Sequence, residues 1–278
     1  VRIDAHQHFW RLAERAGAWP PPSLAAIHRD FGPEDLAPLL HAAGVEGTVL
    51  VQSLPSVEET RALLALARST PFVRGVVGWV DMKAADAVAT IAELARDPRL
   101  KGLRPMLQDL PDDGWIADPA TAPAAEAMVR HGLVFDALVL PRHLPALHVF
   151  ADRHPGLAIV VDHAAKPPIA RGDLQPWHAD LARLAELPQV HCKVSGLLTE
   201  AGDRTRPADL LPYVQAVWTA FGPARLLWGS DWPVLRLARS YTGWLATTID
   251  LLGTVHPPAT QAQLAAVLGA NAVTLYRL

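Results

Sequence analysis

The chain has 278 residues, half of them hydrophobic, which is enough for one large α/β barrel or two smaller domains. Its 25 basic and 28 acidic residues leave a formal charge of −3 with no dense Lys/Arg block, which disfavours nucleic acid and anionic membranes as partners. A lone cysteine, Cys192, excludes an intrachain disulfide and any multi-cysteine zinc site. No N-terminal apolar stretch resembles a signal peptide, and no run reaches the ~18–20 apolar residues of a membrane span. The sequence therefore reads as cytoplasmic; a small-molecule substrate is the expected partner, and whether the chain forms a homo-oligomer is left open by the sequence.

The first apolar run ends in "IDAHQHFW", residues 3–10. Alternate residues of a strand share a face, so Asp4, His6 and His8 are expected on one side, a pattern that suits a metal or an acid–base site. A helix follows, with Pro33 in its first turn, an apolar stripe at Leu36, Leu39, Leu40 and Ala43, a kink expected at Pro38, and Gly44 as its stop. "GTVLVQ" is the second strand. Ser56 and Glu59 have capping-box spacing before the next helix, and "VRGVVGWV" is the third strand. Helices near 84–96, from Asp118-Pro119 to Gly132, near 143–153, near 177–187 and near 208–221 alternate with "LKGLRP", "LVFDALV", "LAIVVDH", "VHCKVSG" and "RLLWGSDWP". Residues 240–277 leave room for one or two closing helices.

Eight apolar strands alternating with helices predict one (β/α)₈ barrel spanning residues 1–278, with its chemistry at the C-terminal ends of the strands. An open dinucleotide-binding sheet is not expected, because "HQHFWR" stands where a glycine-rich phosphate turn is needed. The segments 11–31 and 106–118 are long enough to be lids or binding loops at that mouth. The strand ends offer His6 and His8, then Gln52, Trp79 and Asp81, Arg104, Asp136, Asp162 and His163, Lys193 and Ser195, and Ser230 and Asp231. Three histidines and an aspartate in these places suit a mononuclear metal or a hydrolytic centre. Arg104 can hold a carbonyl or carboxylate with a forked pair of hydrogen bonds, or it can simply pair with a carboxylate such as Asp136. Lys193 or Ser195 is expected to line the mouth, and Trp10, Trp19, Trp115 and Trp232 lie in loops where an aromatic face suits a sugar ring. Of these, Trp10, Trp232 and Lys193 are taken with Arg104 as substrate-binding candidates. His28, His41, His131, His154 and His256 are expected at the surface.

"IDAHQHFW", "KGLRPMLQD", "DHAAKPPI", "CKVSGL" and "LLWGSDWPV", in that order, resemble the amidohydrolase superfamily and, within it, its lactonase branch. The resemblance spans nearly the whole chain. It implies a barrel that hydrolyses a cyclic ester, with His6 and His8 as the first-strand pair, His163 as the sixth-strand histidine, Asp231 as the eighth-strand aspartate, and Arg104 orienting substrate. The fifth strand, "VFDALV", lacks the histidine of the superfamily's two-metal members, so a binuclear centre is not expected. The branch holds both zinc-dependent and metal-independent lactonases. The expectation is one divalent metal, Zn²⁺, on His6, His8, His163 and Asp231, or no metal at all.

Opening a lactone needs an activated water, a stabilised oxyanion and a proton for the ring oxygen. Asp231 suits the general base, and the imidazoles suit metal ligands or direct donors to the oxyanion. No G-x-S-x-G nucleophile elbow is present, so an acyl-enzyme is not expected. The favoured substrate is an aldonolactone such as L-fucono- or L-rhamnonolactone. The alternatives are a lactonase acting on a dicarboxylate or muconolactone-type ring, a metal-dependent decarboxylase of the same superfamily, and a barrel that binds a sugar acid without turnover.

Overall fold

Apolar runs of three to six residues form the strands: β1 (Ile3–Gln7), β2 (Gly47–Val51), β3 (Val73–Gly78), β4 (Leu100–Leu103), β5 (Val134–Ala137), β6 (Ile159–Val161), β7 (Val190–Val194) and β8 (Leu226–Trp228). In the computed structural model, which describes residues 1–15 and 17–278, these eight pair in parallel and in chain order. The seam between β1 and β8 is closed by the Gln7–Trp232 bridge, with His8 N donating to Trp232 O at 2.7 Å and Asp231 N to His6 O at 2.8 Å. The result is a single (β/α)₈ barrel.

The outer helices are α1 (Pro33–Ala43), α2 (Val57–Ser69), α3 (Ala87–Leu94), α4 (Ala122–His131), α5 (Leu144–Arg153), α6 (Trp177–Ala185), α7 (Pro207–Phe221) and α8 (Tyr241–Thr254). Their local signals act as expected, except that the Ser56/Glu59 capping box forms only by half: Glu59 turns its carboxylate to Ser53 N and Leu54 N, and Ser56 N donates to Leu54 O instead. Gly44 and Gly132 end α1 and α4 at φ of +63° and +64°, where a Cβ is strained. Ser56 Oγ accepts from Glu59 N at 3.1 Å, and Asp118 accepts from Ala120 N at 2.9 Å. Pro38 does not break α1, which runs unbroken from Pro33 to Ala43. The closing segment holds more than two helices: α8, then α9 (Gln261–Ala265), a π-helical turn at Ala266–Ala270, and α10 (Asn271–Tyr276). None of the described helices is long and apolar enough to cross a membrane.

Two apolar clusters follow from the strand alternation. Leu50, Val76, Leu103, Phe135, Ile159, Cys192 and Trp228 face the helices. Val49, Val51, Val77, Val134, Val160 and Leu227 fill the lower barrel interior, together with Ile3 and Ala5 and with Ala272 and Tyr276 from the C-terminal helix. Asp4 therefore does not share a face with the histidines. The β1–β2 register shifts between Asp4 and Gln7, which leaves Asp4 bonded to Ser230 and to Tyr241 of α8, while His6 and His8 turn inward.

Candidate active site

The seam that closes the barrel also brings the candidate site residues together. His6 and His8 leave β1, Asp231 leaves β8 three residues beyond its end, and backbone hydrogen bonds across the seam hold the two sides in register. Asp231 Oδ1 lies 3.4 Å from His8 Nε2, 3.8 Å from His6 Nε2 and 3.9 Å from His163 Nε2. All four residues are buried. His8 Nδ1 lies 2.7 Å from Val51 O, so it carries the proton there and leaves Nε2 as a lone pair. His163 Nδ1 sits 2.8 Å from Ser195 Oγ, which likewise leaves its Nε2 facing Asp231. Burial pushes His6 well below the usual imidazole range and His163 down to about 4, so both rings are neutral near pH 7. Burial raises Asp231, but the surrounding imidazoles, His163 first, outweigh it and hold the carboxyl below its ordinary range.

Below this group lies a layer of buried charge. Lys193 Nζ donates to Asp136 Oδ2 at 2.5 Å and to His6 Nδ1 at 3.2 Å, and stands 3.0 Å from Asp162 Oδ1. Burial opposes the Lys193 charge, yet Asp136 and Asp162 more than compensate and raise its pKa. The same lysine, with His6 and Arg104, overcomes the burial cost at Asp162 and holds that carboxyl well below its usual range. Arg104 is anchored by Gln52 O and by Asp162 Oδ2 at 3.3 Å, while its Nε is buried with no partner among the described residues. Its carboxylate is thus Asp162 rather than Asp136.

His163 sits on strained backbone. Residues 163–166 all adopt positive φ between 50° and 59°, a left-handed turn without a glycine, and Asp231 follows at 58°. Each such residue costs roughly 1–2 kcal/mol, and strain of this kind gathers at functional sites. Trp177 Nε1 holds the turn by donating to Ala164 O at 2.7 Å, and Gly196 allows His163 its place because a Cβ there would stand 2.6 Å from Nδ1.

A pocket of about 390 Å³ opens above Asp231, His8, His163 and Arg104. Both long loops contribute to it, Trp19 and Leu24 from the first, Met106, Gln108 and Asp109 from the second. The expected substrate contacts need correction. Trp10 is buried, donates to Arg29 O and packs edge-on against Phe31, while Trp232 is wedged against Phe9 and Phe31. Lys193 is fully buried beneath His6. None of the three lines the pocket: the loops fold Trp10 and Trp232 down into packing, and Lys193, on β7, is drawn under the floor by Asp136 and Asp162. The aromatic face at the mouth is Trp19, 38 % exposed. Lys166, Thr199 and Glu200 complete a wall that the strand-end reading missed. Only Lys166, inside "DHAAKPPI", left a trace in the sequence.

The amidohydrolase family model matches residues 3–278. The chain belongs to the amidohydrolase family. This amidohydrolase is 57 % identical, over all of its length and 96 % of the relative's, to an L-fucono-1,5-lactonase of Burkholderia ambifaria. An L-fucono-1,5-lactonase of Burkholderia multivorans is 40 % identical over 87 % of the chain and 85 % of its own length. A crystal structure of a Burkholderia multivorans amidohydrolase with zinc bound superposes with a TM-score of 0.92 at 36 % identity, covering 100 % of this chain and 99 % of that one.

The amidohydrolase presents a donor set that fits one metal ion. Ligand atoms of His6, His163 and Asp231 all lie within 4.8 Å of one another, and His8 Nε2 adjoins two of them. Imidazole nitrogen with carboxylate oxygen is the set that zinc accepts.

Proposed function

We propose that the protein hydrolyses a sugar-acid lactone, an aldonolactone such as L-fucono-1,5-lactone, to the free acid. What carries the reading is the Asp231 carboxylate, ionised and set among three imidazoles at the floor of a pocket that also holds Arg104. The identity to L-fucono-1,5-lactonases supports the choice of ring.

The approach of each histidine to Asp231 is to Oδ1, which leaves Oδ2 as the oxygen to take a proton from water. The water oxygen bonds to the lactone carbonyl carbon, and the C=O electron pair becomes an oxyanion. Arg104, and His6 when its Nε2 carries the proton, offer donors to that charge. The ring C–O bond then breaks, the protonated Asp231 delivers its proton to the leaving ring oxygen, and the products are a carboxylic acid and a hydroxyl. A single divalent cation, zinc in this reading, held by His6, His163 and Asp231 with His8 alongside, supplies polarisation of the carbonyl and acidification of water towards a pKa of ~7.

The pocket wall favours a neutral polyol over a dicarboxylate. Glu200 and Asp109 repel a dianion and accept hydrogen bonds from hydroxyls, while Lys166, 3.7 Å from Glu200 Oε1, keeps the wall near neutrality. Trp19, Leu24, Val234 and Leu237 offer apolar surface to the other face of the ring. Acid release from a panel of aldonolactones tests the proposal, using purified, chelated and zinc-restored protein. Stereoselective hydrolysis is expected; its absence on every neutral lactone sinks the reading. Loss on chelation with recovery on zinc assigns the metal, and full activity after complete metal removal assigns the imidazoles to the oxyanion directly.

A further inference from the structure

His6 Nδ1 has two suitors. Lys193 Nζ donates to it at 3.2 Å, and Asp162 Oδ1 stands 3.4 Å away as a possible acceptor. The two arrangements demand opposite tautomers. When Lys193 donates, Nδ1 is the lone pair and Nε2 carries the proton, which points at His8 Nε2 3.2 Å away. The chain Lys193 → His6 → His8 → Val51 O is then complete. When His6 carries its proton on Nδ1, Asp162 accepts it, and the Nε2 lone pairs of His6 and His8 face each other. Two lone pairs 3.2 Å apart repel, and a cation between them removes that repulsion.

A second observation marks the alternative. Asp162 Oδ1 is buried and has no hydrogen-bond partner among the described residues, although Lys193 lies within ion-pair distance. Lys193 answers the charge of that oxygen without a directed hydrogen bond, and a proton on His6 Nδ1 supplies the donor it lacks. Lys193 is not left alone by that change. Asp136 Oδ2 keeps it, itself fixed by the Tyr276 hydroxyl of the closing helix at 2.7 Å.

We infer that Lys193 is a positioning residue that, with Asp162, sets the tautomer of His6 and so decides whether its Nε2 donates a proton or ligates a divalent cation. Lys193 favours the donor form and Asp162 the ligand form. The inference rests on the proposed reading of the histidines and Asp231 as the reacting centre.

The test is nitrogen NMR of the full chain labelled at histidine, chelated and then loaded with zinc, with His6 assigned by the signal lost in His6→Gln. A proton on Nε2 in the chelated protein that moves to Nδ1 with zinc supports the inference. A proton on Nδ1 in both states overturns it, as does failure of the wild-type chain to bind zinc. Zinc affinity against a competing chelator gives the second reading. Asp162→Asn should weaken it by roughly 10–100-fold, the usual size for a group behind a ligand, while Lys193→Met should tighten it. Loss of affinity in both variants makes Lys193 a structural counter-ion and overturns the assignment. Should Lys193→Met not fold, the wild-type tautomers decide alone. Lactone hydrolysis by wild type, measured separately, tests the functional reading independently of either result.

Discussion

The barrel interior has two halves that solve burial in different ways. The lower half is filled by Val49, Val51, Val77, Val134, Val160 and Leu227 and needs only shape complementarity. Two residues further along β5 and β6, on the same face, come Asp136 and Asp162, joined by Lys193 of β7 and by Arg104 just past β4, all buried. Each of these charges is tolerable only because another answers it, so the upper half is stable as a set and not residue by residue. The comparison separates what builds the scaffold from what the scaffold positions: apolar filling is replaceable, whereas a paired charge network holds His6 and Arg104 in place at the pocket floor.

Variants can break that contrast, and the largest effect belongs to the reacting group. Asp231→Asn removes the proton acceptor and should lower kcat by about 10²–10⁴-fold, with the thermal midpoint nearly unchanged; steady-state acid release with a melting curve checks both. Unchanged turnover would remove Asp231 from the mechanism. Next, Asp162→Ala leaves Lys193 and Arg104 short of a counter-charge and should cost about 3–5 kcal/mol, with activity lost as well. Leu227→Ala in the lower half should cost about 2–5 kcal/mol through its cavity, yet leave activity per folded molecule intact. Denaturant unfolding paired with active-site titration distinguishes the two, and equal activity losses would erase the boundary between the halves.

A smaller effect is expected from Gly196→Ala. Its φ of +61° and the 2.6 Å approach of a Cβ to His163 Nδ1 should cost roughly 1–2 kcal/mol from the backbone alone, with the ring displaced and turnover reduced. Chemical shifts of His163 report the displacement. The smallest concerns Glu200, whose pKa burial raises above 4.5 despite Lys166. A folded carboxyl raised in this way binds its proton more tightly than the unfolded chain does. Stability from this group is therefore fullest below the ordinary glutamate pKa and declines as pH rises through the raised one. Glu200→Gln should flatten that slope in pH-dependent melting and raise KM for a polyhydroxylated lactone more than it lowers kcat.

Much of this was legible in the residues alone. The alternation of apolar runs with capped helices is a local property, written in spacing and in Gly44, Gly132, Ser56 and Asp118, so the barrel and its order could be read directly. Parallel closure then sends every strand end to one mouth, which is why His6, His8, Arg104, His163 and Asp231 could be gathered without coordinates. What failed were inferences that depended on register and loop path. A shift in β1 turned Asp4 away from the histidines, and the first loop buried Trp10 while presenting Trp19.

The sequence by itself determined the fold and which strand-end side chains meet at the mouth, because periodicity and strand-end position are encoded within a few residues of one another. Only the tertiary structure decided that Lys193 lies beneath His6 rather than in the pocket, that Asp162 is the carboxylate of Arg104, and that Lys166 and Glu200 form the wall. Those relations join residues up to 187 positions apart across a closed interior. Their distances are set by packing, and packing leaves no local mark in the chain.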